Sequence, residues 1–165
     1  MLGIIYACKS KKSTAGAAGG KESKTAKQER IAHENDTALT FYDWNEGYAK
    51  AQRLDKILLV DIYTEWCGWC KVMDRKTYSN SKVIKELNQN FVCVKFNPEI
   101  IRNDYVFDTT TIDQRMLAAF LMDRRSSGYP TTTFWLNPGK KERLEVVPGY
   151  KDANSFYGLL TGLAN

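Results

Sequence analysis

The pattern of apolar and polar positions changes character at Leu39. From there Trp44, Tyr48, Ala51 and Leu54 recur near helical spacing, which predicts a helix to about Leu54. Asp43-Trp44-Asn45-Glu46 resembles a capping box with Asp43 in the cap position. Residues 56–63 form a continuous apolar run broken only by Asp61, of strand length and buried on both faces as a central strand would be. A helix is predicted from Cys67 to about Tyr78. A second helical piece follows through Val83, Ile84 and Leu87, capped by Ser79 or Ser81. Phe91–Phe96 is the next strand. Residues 98–112 carry no clear period, and Asp108-Thr109-Thr110-Thr111 suggests a loop.

Asp113–Met122 returns to helical spacing, with Met116, Leu117, Phe120 and Leu121 apolar. Gly128-Tyr129-Pro130 precedes a strand over Thr131–Leu136. Asn137-Pro138-Gly139-Lys140 has Pro and Gly where a type II turn needs them, so Arg143–Val147 is expected to pair back as a hairpin. An amphipathic helix over Asp152–Leu163 closes the chain. Helix and strand alternation followed by a hairpin means an α/β fold with a mixed sheet.

Residues 9–38 differ from all this. They are rich in Lys, Ala, Gly, Ser, Thr and Glu, with Ile31 as their one aliphatic β-branched residue and no aromatic. Such a stretch buries too little surface to offset its ordering entropy, and is expected to be a flexible tether. The domain boundary is therefore placed between residues 1–38 and 39–165. The 165 residues suit one domain with an appendage. The net charge of +5 is uneven: residues 1–38 hold seven Lys/Arg and four Asp/Glu, so the remainder is nearly neutral. That distribution argues against nucleic-acid binding, which needs a clustered basic face. It suits a basic tail beside a membrane.

Four cysteines are present, Cys8, Cys67, Cys70 and Cys93, too few for a disulfide scaffold. Cys67-Gly68-Trp69-Cys70 follows the buried strand and opens a helix. Free N–H groups and the helix dipole at such a start favour thiolate. Cys67 is expected as the exposed nucleophile and Cys70, one turn on, as the resolving thiol in disulfide exchange. Two other chemistries share this spacing. A zinc site would need two further ligands, and Cys93 lies mid-strand while His33 and Cys8 lie in the tether; no metal is expected. The pair could also be a structural disulfide without turnover. Asp61 is either a buried carboxyl or an edge residue facing water. Cys93 reads as a buried core thiol, and Trp66 and Trp69 as an apolar docking surface, with Trp66 alternatively packed against the core.

The run from Val60 to Lys71, with Trp66-Cys67-Gly68-Trp69-Cys70-Lys71 at its centre, resembles the active-site region of the thioredoxin superfamily. It is most similar to envelope thioredoxin-like proteins with a Trp-Cys-x-x-Cys-Lys site. The resemblance covers roughly residues 39–165. It implies that Asp61 is the family's buried acid, Lys95 its neighbouring lysine, Tyr129-Pro130 the cis-proline loop that pairs with substrate backbone, and Gly149 the glycine after the hairpin. A thioredoxin fold is implied, its central mixed sheet flanked by helices, with residues 98–112 as an insertion before the cis-proline loop. Asp61 and Lys95 would manage the proton of Cys70, and Trp66, Gly68, Trp69, Tyr129 and Pro130 would meet the substrate. The sequence departs from cytosolic thioredoxins in Gly-Trp between the cysteines and in Tyr129 before the proline, two positions expected to tune potential and substrate choice.

The resemblance implies a protein-disulfide oxidoreductase, leaning to a reductant, with no cofactor beyond the Cys67–Cys70 pair. Its implied partners are protein disulfides and a membrane electron donor or acceptor, and a monomer is expected. A thioredoxin-fold binding or chaperone module is the alternative. Ile5-Tyr6-Ala7-Cys8 resembles a bacterial lipobox, which implies lipidation of Cys8, anchoring in the envelope and a periplasmic domain. No basic segment precedes it and the apolar run is short, as in a truncated signal. The alternative is the frayed start of a cytosolic protein.

Overall fold

The computed structural model describes residues 38–123, 128–139 and 143–165. The tether and Cys8 lie outside them, as does Lys140 of the expected turn. The elements run β1 (Phe41–Tyr42), α1 (Trp44–Leu54), β2 (Ile57–Ile62), α2 (Gly68–Lys76), α3 (Ser81–Asn90) and β3 (Phe91–Phe96). Then come β4 (Tyr105–Phe107), β5 (Thr110–Ile112), α4 (Gln114–Leu121), β6 (Thr131–Trp135), β7 (Leu144–Pro148) and α5 (Ala153–Ala164).

The main sheet has five strands in the order β1-β3-β2-β6-β7. β3 lies parallel to β1 and β2, while β6 is antiparallel to β2 and β7 to β6. Alternation along β2 divides the core between the two faces. Leu58, Val60 and Ile62 pack with Trp44, Tyr48, Leu117 and Leu121 from α1 and α4. Leu59 turns the other way, toward Met73, Leu87, Phe156 and Leu160 from α2, α3 and α5. Both faces of β2 are covered, which is why its sequence reads as an apolar run interrupted only by Asp61. α1 approaches β3 so closely at Gly47 that a Cβ there would overlap Val94 Cγ2.

Local capping sets most helix starts. Asp43 and Asp152 cap α1 and α5 with their carboxylates. α3 is capped by Asn80, whose Oδ1 accepts from Lys82 and Val83 N–H, and not by Ser79 or Ser81. Ser79 is otherwise engaged, its Oγ donating back to Arg75 O at 2.6 Å. α2 stops at Lys76, two residues short of the predicted end. Gly139 has φ +79°, as the third residue of a type II turn requires.

Residues 98–112 depart most from expectation. The stretch without a clear period holds a hairpin, β4 paired antiparallel with β5; of the residues that suggested a loop, Asp108 and Thr109 form its turn, Asp108 at φ 55°, while Thr110 and Thr111 lie in β5. Its partners are tertiary. Trp44 Nε1 donates to Val106 O at 2.7 Å, and the Asn45 amide bonds to Asp104 O and Val106 N as a neighbouring strand would. Arg102 fastens the preceding segment, its guanidinium on Asp43 at 2.6 Å and on Asp104 at 2.9 Å.

Candidate active site

Cys67 is the N-cap of α2, with φ −70° and ψ 103°, and Cys67 N–H returns to Thr64 O at 3.1 Å. Its Sγ is bonded to Cys70 Sγ, and it accepts the Cys70 N–H at 3.1 Å. A sulfur in that place faces the free N–H groups of the first helical turn, which stabilise negative charge on it. Cys67 was expected to be exposed, but it is 4% exposed. In the disulfide its sulfur lies against the helix start, on the Cys70 N–H. Around it Trp66 and Trp69 stand out at 68% and 61% exposure, so Trp66 is not a core residue.

Tyr129 and Pro130, joined by a cis peptide bond, complete this surface. The Tyr129 ring meets Trp66 edge-on at 5.9 Å, and Trp69 lies 5.3 Å from Tyr150. Gly149 has φ +78° and donates its N–H to Pro130 O at 2.8 Å, tying the end of β7 to the proline loop. A Cβ on Gly68 would meet nothing within 4 Å, so Gly68 leaves open space beside the disulfide.

Beneath this surface lies a charged cluster on the α2, α3 and α5 face of the sheet. Asp61 is 1% exposed on the central strand, so the edge alternative does not hold. Its register partner on β3 is Lys95. Lys95 Nζ lies 2.5 Å from Asp61 Oδ2 and 2.6 Å from Asp74 Oδ1. Three rings surround the ammonium, Phe41 and Tyr63 at 5.0 Å and Tyr78 at 5.5 Å from their centroids. Burial pushes the Asp61 carboxyl above the usual carboxylate range, and Lys95 opposes part of that rise. For Lys95 burial acts downward, but the Asp61 and Asp74 carboxylates outweigh it and hold the ammonium above its ordinary value.

Asp74 stands one helical turn beyond Cys70, on the same face of α2. Its contact with Lys95 therefore places the Asp61–Lys95 pair under the face that carries Cys70. Asp74 was not anticipated from sequence, although a carboxylate four residues after a helical cysteine is a readable signal. Glu99 was also missed: its Oε1 accepts from Trp66 Nε1 at 2.9 Å across 33 residues. No local pattern announces such a contact. Cys93 is buried among apolar side chains on β3, where burial raises its thiol far above the ordinary range. Among the described residues no His, Cys, Asp or Glu cluster could hold a metal ion.

A mixed sheet with a Cys-x-x-Cys disulfide at the helix start after its central strand defines a thioredoxin-fold protein. A thioredoxin from Thermus thermophilus matches with a TM-score of 0.58 at 22% identity, covering 76% of this chain and 87% of that one. A structure titled DsbH oxidoreductase matches at 0.53 with 15% identity, covering 91% and 94%. These likenesses establish the fold. The family Thioredox_DsbH, described as "Protein of unknown function, DUF255", matches residues 23–153, and the chain belongs to it.

Among curated proteins, the thiol:disulfide interchange protein DsbD of Salmonella typhimurium is 28% identical over 125 residues, 76% of this chain and 20% of that protein. Spermatogenesis-associated protein 20 of Mus musculus is 24% identical over 102 residues, 61% of this chain and 12% of that protein. The chain thus matches between 12% and 20% of the length of these two relatives.

Proposed function

We propose that this protein is a thiol–disulfide oxidoreductase that reduces disulfides in cell-envelope proteins. The observation that carries the reading is the Cys67–Cys70 disulfide in the first turn of α2, with the buried Asp61–Lys95 pair beneath that helix. In the reduced protein the Cys67 thiolate attacks a substrate disulfide. A mixed disulfide forms and one substrate sulfur leaves as thiolate. Cys70 then gives its proton to Asp61, its sulfur attacks Cys67 Sγ, and the second substrate sulfur leaves. The substrate gains two electrons and, with protons from solvent, two thiols; the protein is left with the Cys67–Cys70 disulfide.

Burial raises the Asp61 pKa and Lys95 limits that rise, so the carboxyl is a stronger base than an ordinary carboxylate while the ammonium still favours its charged form. Trp66, Gly68, Trp69, Tyr129 and Pro130 form the face on which the substrate chain lies. The name of the DsbD relative, thiol:disulfide interchange protein, supports the same chemistry. No cofactor is required beyond the cysteine pair, and the electrons come from a membrane partner. Anchoring through a lipidated Cys8 would hold the domain at the envelope. Among the described residues no helix is long and apolar enough to cross a membrane.

The test is reduction of insulin by dithiothreitol, comparing wild type with Cys67→Ser. The wild type is expected to accelerate precipitation and the variant to match the uncatalysed rate. Equal rates from the two proteins would remove the oxidoreductase reading and leave a binding module that uses the exposed tryptophans. Mass spectrometry of the mature amino terminus checks the anchor, and an unmodified Cys8 would remove it.

A further inference from the structure

Tyr78 has a buried hydroxyl that the exchange chemistry above does not use. The residue follows α2, with its N–H on Met73 O at 3.0 Å, and is 4% exposed. Its ring is fixed edge-on by Phe41 at 5.1 Å and Phe156 at 5.5 Å. Phenylalanine would make those same contacts. The hydroxyl is the added feature, and in the oxidised protein it makes no hydrogen bond of good geometry, although Thr132 and Asp61 lie near enough to act on it. Asp61 Oδ1 is in the same condition, while Asp61 Oδ2 is held by Lys95. Buried polar atoms left unpaired are uncommon in native proteins and call for a reason. Here two of them belong to neighbouring groups on one face of the sheet, both in contact with Lys95.

We propose that Tyr78 is a positioning residue for the exchange reaction: when Asp61 is charged, the Tyr78 hydroxyl donates to Asp61 Oδ1 and holds the carboxylate as the base for Cys70. The proposal rests on the oxidoreductase reading for its kinetic consequence. A carboxylate buried in a protein needs donors on both oxygens. Lys95 supplies one, and the phenol, fixed by two rings, supplies the other. The two groups already influence each other: the phenol acts to lower the Asp61 pKa, and the Asp61 charge acts to raise that of the phenol. The other groups that bear on the pair are Asp74 from α2, Lys95 and Cys93 from β3, and Thr132 from β6. The Asp61 charge also reaches Tyr63, beyond the end of β2. In the step itself the Cys70 Sγ–H bond breaks and its proton passes to Asp61. The Cys70 sulfur pair forms the bond to Cys67 Sγ, and the substrate sulfur departs with the electrons of the broken disulfide.

Tyr78→Phe keeps the ring and removes the donor. In the reduced variant, carbon NMR of the Asp61 carboxyl is expected to titrate about 0.5–1 unit higher than in wild type, the size of one lost hydrogen bond to the charged form. Single-turnover oxidation by glutathione disulfide is expected to slow roughly threefold to tenfold on the rising limb of its pH profile, below the Asp61 pKa. The rates should converge at higher pH, where Asp61 is charged in both proteins. Coincident Asp61 titration curves would overturn the proposal. Absence of exchange in the wild type would overturn the oxidoreductase reading, while the NMR titration would still decide the place of Tyr78.

Discussion

Trp66 Nε1 donates to Glu99 Oε1 at 2.9 Å, so the residue before the first redox cysteine is tied to the segment that precedes the β4–β5 hairpin. Because Arg102 and Asn45 fasten that segment and the hairpin to the start of α1, the inserted chain orients the indole beside the disulfide. Ile101, two residues beyond Glu99 on the same segment, is 87% exposed.

Glu99→Ala should release the indole without disturbing the core. KM for a protein disulfide is expected to rise about twofold to tenfold, the worth of a hydrogen bond of roughly 0.5–1.5 kcal/mol. The thermal midpoint should hold. Steady-state kinetics on a protein substrate and on a small disulfide would check this, since only the protein substrate reaches the indole face. An equal change for both would sink the assignment.

Much of the fold was legible because local chemistry and burial agreed. The run through Leu58, Leu59 and Val60 has helices on both faces, and Asp43 and Asp152 cap the helices that their positions announce. The closeness of Cys67 to Cys70 was legible by spacing, and that of Asp61 to Lys95 by resemblance. The β4–β5 hairpin was not, because its partners, Trp44, Asn45 and Tyr48, lie about sixty residues away. The choice of Asn80 over two nearby serines turned on which side chain could reach the first N–H groups of α3. The burial of Cys67 in the disulfide-bonded protein is a matter of tertiary packing, which spacing alone does not describe.

Asp61→Asn should change how stability depends on pH. Burial holds the folded Asp61 pKa above its ordinary 3.8, so the unfolded chain gives up this proton first as pH rises. Wild-type stability is therefore lost between that value and the raised folded pKa, and levels off above it. The asparagine variant lacks this loss. Urea unfolding of the oxidised proteins from pH 4 to 8 should show the variant gaining on wild type with rising pH. Parallel curves would contradict the buried, raised carboxyl.

Lys95→Met should act in the opposite sense on the same acid. Without the ammonium, the largest offset to the desolvation of Asp61 is gone, so its pKa climbs further and the rising limb of the exchange rate moves to higher pH. Breaking a buried pair costs about 3–5 kcal/mol when the remaining charge persists. Protonation of Asp61 caps that cost in acid, so destabilisation should grow as pH rises. The double variant with Asp61→Asn should recover most of the stability and none of the activity. Failure to recover it would assign Lys95 a packing role on Phe41 and Tyr63.

Asp74→Asn isolates the exposed end of the cluster. The Asp74 carboxylate is 46% exposed, so its pairing with Lys95 is worth at most about 1 kcal/mol after solvent screening. Little stability should be lost. The charge also acts to raise the Asp61 pKa, so its removal should lower that pKa and move the exchange-rate limb to lower pH. A shift to higher pH would mean that Asp74 serves Asp61 chiefly by holding Lys95 in place.

Cys93 should be silent in the folded protein. It is buried on β3 between Val92 and Val94, and burial keeps its thiol protonated far above neutral pH. Alkylation requires thiolate and access, and Cys93 has neither. Brief iodoacetamide treatment of the reduced protein at pH 8, mapped by peptide mass, should modify Cys67 first and Cys93 only after denaturant is added. Cys93→Ala should leave exchange within about twofold of wild type and cost roughly 1 kcal/mol for the small void. Modification of Cys93 in the native protein at a rate near that of Cys67 would mean that β3 opens on the time scale of the reaction, and the Lys95 beside it would then be no fixed partner for Asp61.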